Sequence, residues 1–221
     1  MTPVIAIDGP SGAGKSTVAR GVATALGVEV LDTGAMYRAV TFAVLDAGAD
    51  PTDADACAAM ARHVQIEQQG ITTRLDDRDV SIEIRSPAVT SAVSTVAAHP
   101  AVRAVLVEHQ RRWAATHGAG VVEGRDIGTV VFPDAVLKVF LTASDTERAR
   151  RRRDEASPDG AVSVDTVRAE LDRRDHLDTT RATSPLTSAD DAVLIDTTDR
   201  PIDDIVDAIV AHYRARRVAP R

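Results

Sequence analysis

Gly9-Pro10-Ser11-Gly12-Ala13-Gly14-Lys15-Ser16 follows directly on the apolar run Val4-Ile5-Ala6-Ile7-Asp8. The spacing is Gly-x-x-x-x-Gly-Lys-Ser, a phosphate-binding loop between a strand and a helix. Its glycines let successive backbone N–H groups converge on phosphate oxygens, Lys15 supplies charge at the β/γ position, and Ser16 offers a hydroxyl to Mg2+. A helix predicted from Thr17 to about Leu26 aims its positive end at the same point. A bare glycine turn would need neither the strand before nor the amphipathic helix after, and both are here. Of the 26 Lys and Arg residues only Lys15 and Lys138 are lysines. A compact ammonium reaches between phosphates as a point charge, which the broad fork of arginine does not.

With 221 residues and 44% apolar content, the chain is expected to form one core with lobes. No run is long and apolar enough to span a bilayer, and the N-terminus enters a predicted strand at once rather than resembling a cleavable signal. The single cysteine, Cys57, lies in an alanine-rich helical stretch, excludes an internal disulfide and fits a reducing cytoplasm. A formal charge of −7 argues against broad affinity for nucleic acid or anionic membrane. The expected partners are small molecules bound by a monomer, and a polyanionic one needs a locally basic pocket.

Predicted strands at Val4–Asp8, Glu29–Asp32, Gly120–Glu123, Ala135–Leu141 and Val193–Asp196 alternate with helices at Thr17–Leu26, Gly34–Ala47, Pro100–His117, Asp145–Glu155, Asp165–Asp172 and Pro201–Arg216. This is the pattern of an α/β fold with a parallel sheet. Ser144 and Glu147 are spaced as a capping box. Between Val64 and Ile84 the period changes to two, with runs at Val64–Gln68, Ile71–Leu75 and Val80–Ile84 and turns at Gln69-Gly70 and Asp77-Arg78. That small antiparallel insert is either a lobe over a substrate or a surface hairpin.

Arg38, Arg103, Arg125, Arg174 and Arg181 lie beside or inside loops. Arg125 follows Val121-Val122-Glu123 at the carboxyl end of a predicted parallel strand, where open α/β sheets bind ligands. Guanidinium groups grip phosphate bidentately and stay charged, though each taken singly reads equally well as a surface ion pair. The run Arg148, Arg150, Arg151, Arg152, Arg153 is either a solvated helix face or a lid that closes over a transferring phosphoryl group, with Pro158 and Gly160 as its hinge. Asp32 either shares a Mg2+ water shell or caps the next helix. The histidines show no metal-ligand spacing. The absence of asparagine excludes a guanine-reading Asn-Lys-x-Asp loop, and no Gly-x-Ser-x-Gly elbow is present.

Three further stretches carry a resemblance: Leu31-Asp32-Thr33-Gly34-Ala35-Met36-Tyr37-Arg38, Gly124-Arg125-Asp126-Ile127-Gly128-Thr129-Val130-Val131-Phe132-Pro133-Asp134, and Arg174-Asp175-His176-Leu177-Asp178-Thr179-Thr180-Arg181. With the phosphate loop, they make the chain resemble the bacterial cytidylate kinase family over its full length. The resemblance implies a P-loop kinase three-layer sandwich: a core at residues 1–55 and 96–221, a nucleotide-binding insert at 56–95, and an arginine-rich lid at about 145–162. It implies transfer of the ATP γ-phosphoryl group to CMP or dCMP with Mg2+. Gly9 to Thr17 and Arg152 would bind ATP, and Lys15, Arg125, Arg151 and Arg181 would be catalytic. Ser94, Arg103 and Asp126 would read the cytosine ring, and Arg174 and Asp178 would meet the sugar. Thr33, Arg38, Arg125 and Arg181 would hold the acceptor phosphate with Tyr37 packed nearby, and Ser16 and Asp32 would serve the metal. Ser16 stands where many members of the family carry glycine, and Thr33 where many carry serine; both keep or add a hydroxyl. Phosphorylation of another small acceptor, such as shikimate, and electrostatic RNA binding are the competing readings.

Overall fold

The computed structural model describes residues 4–156 and 163–218. The described residues form two compact units, one comprising the chain up to Val30 and again from Gly118 onward, the other Leu31–His117.

The first unit is built on a sheet of β1 (Val4–Asp8), β2 (Glu29–Asp32), β6 (Gly120–Gly124), β7 (Leu137–Thr142) and β8 (Val193–Asp196), in the order β2-β6-β1-β7-β8. β1 pairs in parallel with β6 and β7, and β7 with β8. Every residue of β1 and β6 is buried, as expected for inner parallel strands covered on both faces. β8 is an edge strand and leaves Leu194 68% exposed. Helices α1 (Lys15–Leu26) and α8 (Ile202–Val218) pack together on this sheet, with Ile5, Ile7, Val18, Val121, Leu141, Ile205 and Ile209 in one apolar cluster. α6 (Asp145–Ala156) and α7 (Val164–Thr180) pack on each other.

β1 ends where the phosphate loop begins, and the junction admits only glycine. Gly9 has φ 150°, and a Cβ there would lie 2.2 Å from the Leu141 carbonyl oxygen.

The second unit holds α2 (Thr33–Asp46), α3 (Ala54–His63), α4 (Pro87–Ala98), α5 (Pro100–His117) and a sheet of β3 (Ile66–Gln69), β4 (Thr72–Leu75) and β5 (Arg78–Asp79). The antiparallel insert is therefore present, with three corrections, the first being that its first turn is Gly70-Ile71 rather than Gln69-Gly70, since Gln69 pairs with Thr72. The second turn falls at Asp76-Asp77, whose φ values of 47° and 66° form the tight link. This moves β5 to Arg78–Asp79, and Val80–Ile84 is a turn into a short 3-10 helix rather than a strand. α4 was not anticipated as a helix. Its Val-, Ser- and Thr-rich sequence has poor helix propensity, but Ser86 accepts from the Val89 N–H and Pro87 opens the first turn.

α7 runs past the predicted stop at Asp172 to Thr180, because no glycine or proline interrupts it. The expected lid helix is α6. Residues 157–162, which include Pro158 and Gly160 of the expected hinge, lie outside the described residues. Among the described residues no helix is long and apolar enough to cross a membrane.

Candidate active site

Gly12 and Gly14 take φ values of 78° and 84°, turning the loop between β1 and α1 through the left-handed conformation that gathers N–H groups on one side. Lys15 opens α1, is 8% exposed, and donates from Nζ to the Pro10 carbonyl at 2.8 Å. Burial, and then the charge of Arg125, hold its pKa well below the usual lysine range; Glu123, Asp175 and Asp8 pull the other way. A polyanion against the loop would restore the full charge.

Beside the loop lies a cavity of about 530 Å3 lined by Gly12, Gly14, Thr17, Arg150, Arg151 and Arg200, among others. Arg151 is well held there. Its Nε donates to Glu147 Oε1 at 2.8 Å and its Nη groups donate to the Thr197 hydroxyl and carbonyl at 2.9 and 2.7 Å. The Thr197 hydroxyl in turn lies 3.2 Å from the Ala13 carbonyl of the loop. Arg152 does not line this cavity; its charge acts on Arg174 instead.

The anticipated capping box is only half formed. Ser144 Oγ accepts the Glu147 N–H at 3.3 Å, but the Glu147 carboxylate is occupied by Arg150 and Arg151, and the Ser144 N–H donates to Thr198. Two guanidinium groups outcompete one backbone amide for the carboxylate.

Arg125 is where β6 delivers it, just beyond Gly124. Its Nε donates to Asp178 Oδ2 at 2.8 Å and its Nη2 donates to the Ser11 hydroxyl of the phosphate loop at 2.6 Å. Burial opposes this charge, but Asp178, Asp175 and Glu123 together outweigh it, so the pKa is raised. Ser11 is gripped from the other side too. Its N–H donates to Asp175 Oδ1 at 3.3 Å and its carbonyl accepts from Arg148 Nη1 at 3.0 Å, while Arg148 also binds Asp175 and Asp145. The helical spacing of α7 puts Arg174 and Asp178 on one buried face. Burial, then Arg125, lower Arg174 to about 10, and its Nε has no hydrogen-bond partner among the described residues. Asp126 and Arg181 approach to 3.6 Å with both side chains 6% exposed. These buried guanidinium groups are held by carboxylates, and Arg174 Nε, left without a hydrogen-bond partner among the described residues, is the donor here suited to an anionic or oxygen-rich ligand.

The family model for cytidylate kinase matches residues 5–215. The chain belongs to the cytidylate kinase family. The cytidylate kinase of Mycobacterium avium (strain 104) is 52% identical over 223 residues, covering 99% of this chain and 98% of its own length. That of Mycobacterium leprae (strain Br4923) is 56% identical over 195 residues, covering 88% and 87%. Among solved structures, a gluconokinase from Sinorhizobium meliloti 1021 shares the fold at a TM-score of 0.50 with 17% identity, covering 97% of this chain and 93% of that one. The family is one of ATP-dependent kinases on a P-loop fold.

The remaining family positions lie in the second unit. Arg103, 3% exposed, stacks over the Tyr37 ring at 5.7 Å. Arg38 donates to the Ile84 carbonyl and the Thr90 hydroxyl at 3.0 and 2.9 Å. Thr33 and Ser94 are both buried. Asp32 takes the capping role: its Oδ1 accepts the Ala35 N–H at 2.9 Å, and its own backbone is bound at both polar groups by the Gln68 amide. Among the described residues no cluster of three or more His, Cys, Asp or Glu side chains is arranged to hold a metal. The oxygen donor beside the loop is the half-buried Ser16 hydroxyl in the first turn of α1. One hard oxygen ligand fits Mg2+, which keeps most of its shell as water and phosphate.

Three contributors are not evident from the sequence: Asp8 reads only as a strand end, Asp175 only as part of a motif, and Thr197 has no local signal. Asp8 carried a signal, a carboxylate closing an otherwise apolar inner strand.

Proposed function

We propose that this chain transfers the γ-phosphoryl group of ATP to CMP or dCMP, giving ADP and CDP or dCDP. The observation that carries the proposal is the 2.6 Å bond between Arg125 and Ser11. It ties the arginine assigned to the acceptor phosphate to the loop assigned to the donor phosphates. Family membership supplies the acceptor's identity.

In this reading Gly9 to Thr17 cradle the ATP phosphates, with Lys15 at the β/γ position and Arg151 in the adjoining cavity, while Arg152, expected at ATP, acts on Arg174 instead. Arg38, Arg125, Arg181 and Thr33 hold the acceptor phosphate beside Tyr37, and Arg174 and Asp178 hold the sugar. Ser94, Arg103 and Asp126 read the base. A carboxylate accepts from the exocyclic amino group of cytosine, whereas the carbonyl of uracil would face it lone pair to lone pair. Ser16 would hold Mg2+, which when bound neutralises phosphate charge.

An oxygen of the acceptor phosphate attacks the γ-phosphorus in line, and the bond to the ADP oxygen breaks. The attacking oxygen is already anionic, so no protein nucleophile or strong base is required, and the side chains position the reactants and neutralise their charge. The lone Cys57 and the acidic net charge support a cytoplasmic protein that acts as a monomer on free nucleotides.

A panel of CMP, dCMP, UMP, AMP, GMP and shikimate with ATP and Mg2+ tests the proposal. CMP and dCMP are expected to give the highest kcat/KM. Preference for UMP, a purine nucleotide or shikimate contradicts the acceptor assignment.

A further inference from the structure

Asp8 is 4% exposed, and both oxygens of its carboxylate are committed. Oδ1 accepts the Ile127 N–H and Oδ2 accepts the Gly128 N–H, each at 2.8 Å. These amides open the π-helical turn Ile127–Val131, which winds tightly about Asp126, whose carbonyl accepts from Val130 and Val131 at 2.9 and 3.2 Å. Asp126 occupies the N-cap position of that turn yet makes no side-chain capping bond. A cap aspartate ordinarily turns its carboxylate onto the amides two or three residues ahead. Here the first of those amides, Gly128, is already taken from the neighbouring strand. The turn is packed closely from its far side as well, since a Cβ on Gly128 would lie 3.1 Å from the Lys138 side chain.

We infer that Asp8 is a positioning residue of the acceptor site: by capping the Ile127–Val131 turn from β1, it keeps the Asp126 carboxylate from folding back onto its own backbone and leaves it presented to the acceptor base. The inference rests on the assignment of Asp126 to cytosine. The register supports it, because Asp8 pairs with Gly124 of β6, so the capping carboxylate and the Arg125-Asp126 pair leave the sheet at the same level.

The geometry brings a pH dependence. Burial raises the Asp8 pKa to about 6; the two amides lower it, Asp126 raises it further and Lys15 lowers it. The folded chain therefore binds this proton more tightly than the unfolded chain does. The associated stability is fully present below the ordinary value of 3.8 and is lost as pH rises through about 6. Stability thus favours the protonated form, whereas the cap needs both oxygens ionised. A protonated Asp8, like an asparagine, keeps one acceptor oxygen and turns a donor toward the other amide.

The test is kcat/KM for CMP of the wild type and Asp8→Asn across pH, with KM for ATP measured alongside. The acceptor phosphate itself titrates at about pH 6, but this is common to both proteins and cancels in their ratio. At about pH 8 the variant is expected to lose about tenfold in kcat/KM for CMP, with less than about twofold change in KM for ATP. The ratio of wild type to variant is expected to fall toward one as pH drops below about 6, where the wild type becomes the variant's equivalent. A ratio constant with pH, or an equal loss toward ATP, overturns the inference.

Asp126→Ala in the same assay separates the two assignments. If it leaves the discrimination between CMP and UMP unchanged, the base-reading assignment fails; if it destroys discrimination while Asp8→Asn is silent, only the positioning role fails. Should Asp8→Asn not fold, amide exchange of the wild type decides. Protection at Ile127 and Gly128 that weakens below about pH 6, relative to the β1 amides, supports the role. Protection unchanged with pH overturns it.

Discussion

Lys15→Ala is expected to lower turnover roughly a thousandfold while leaving the melting temperature unchanged or higher. The two effects have one origin. Lys15 is buried, bonded to the Pro10 carbonyl and placed near Arg125, and its pKa is held well below the usual range, burial being the larger cause. A lysine whose folded pKa is depressed opposes folding while it is charged, and the opposition fades as pH rises through the window between its folded and unfolded values. Removing the ammonium therefore costs the fold little beyond one hydrogen bond. It costs the reaction the charge that meets the polyphosphate. Binding of ATP should accordingly draw a proton onto the wild-type protein, and calorimetry in buffers of different ionisation enthalpy should show that uptake vanish in Lys15→Ala. Lys15→Arg is not expected to rescue turnover, because the guanidinium fork is too broad for the position. Substantial turnover in Lys15→Ala would remove the loop from the reaction.

The second large effect is expected from Asp126→Ala, which should lower kcat/KM for CMP by roughly a hundredfold, with KM for ATP changing less than about twofold. Asp126 lies 3.6 Å from Arg181 with both side chains 6% exposed. In such a dry setting a hydrogen bond from a carboxylate to an amino group is worth more than in water, and its loss is not made good by solvent. The preference for CMP over UMP should shrink by a comparable factor, since the repulsion against the uracil carbonyl disappears together with the attraction. Steady-state kinetics with both acceptors provides the measurement. Discrimination that survives the substitution would assign the base to other residues.

Much of the first unit is legible in the residues themselves. Val4–Asp8 and the glycine-lysine loop declare a parallel strand feeding a helix, and the strand ends at Asp32 and Asp196 fall where the alternation of patterns puts them. Arg125 is legible because it follows a strand at the ligand-binding end of a parallel sheet. What is not legible is the second tier of contacts that hold these groups in place. Nothing in the local pattern says that Asp8 caps a turn in residues 127–131, or that Arg148 and Asp175 clamp the backbone of Ser11. Those bonds join residues more than a hundred positions apart and arise only from the order of the strands. The elements that differ, α4, β5 and the end of α7, reflect tertiary packing and turn chemistry overriding weak local propensity, and in α7 the lack of any glycine or proline stop.

The most direct test of the whole account is the fate of γ-labelled ATP with and without CMP. Label is expected to appear in CDP when CMP is present, with little released as inorganic phosphate and none retained on the protein; without CMP, hydrolysis should be slower by orders of magnitude. Release of labelled phosphate at the same rate with and without CMP, or label held covalently on the chain, would contradict direct transfer between a donor on the phosphate loop and an acceptor held by Arg125.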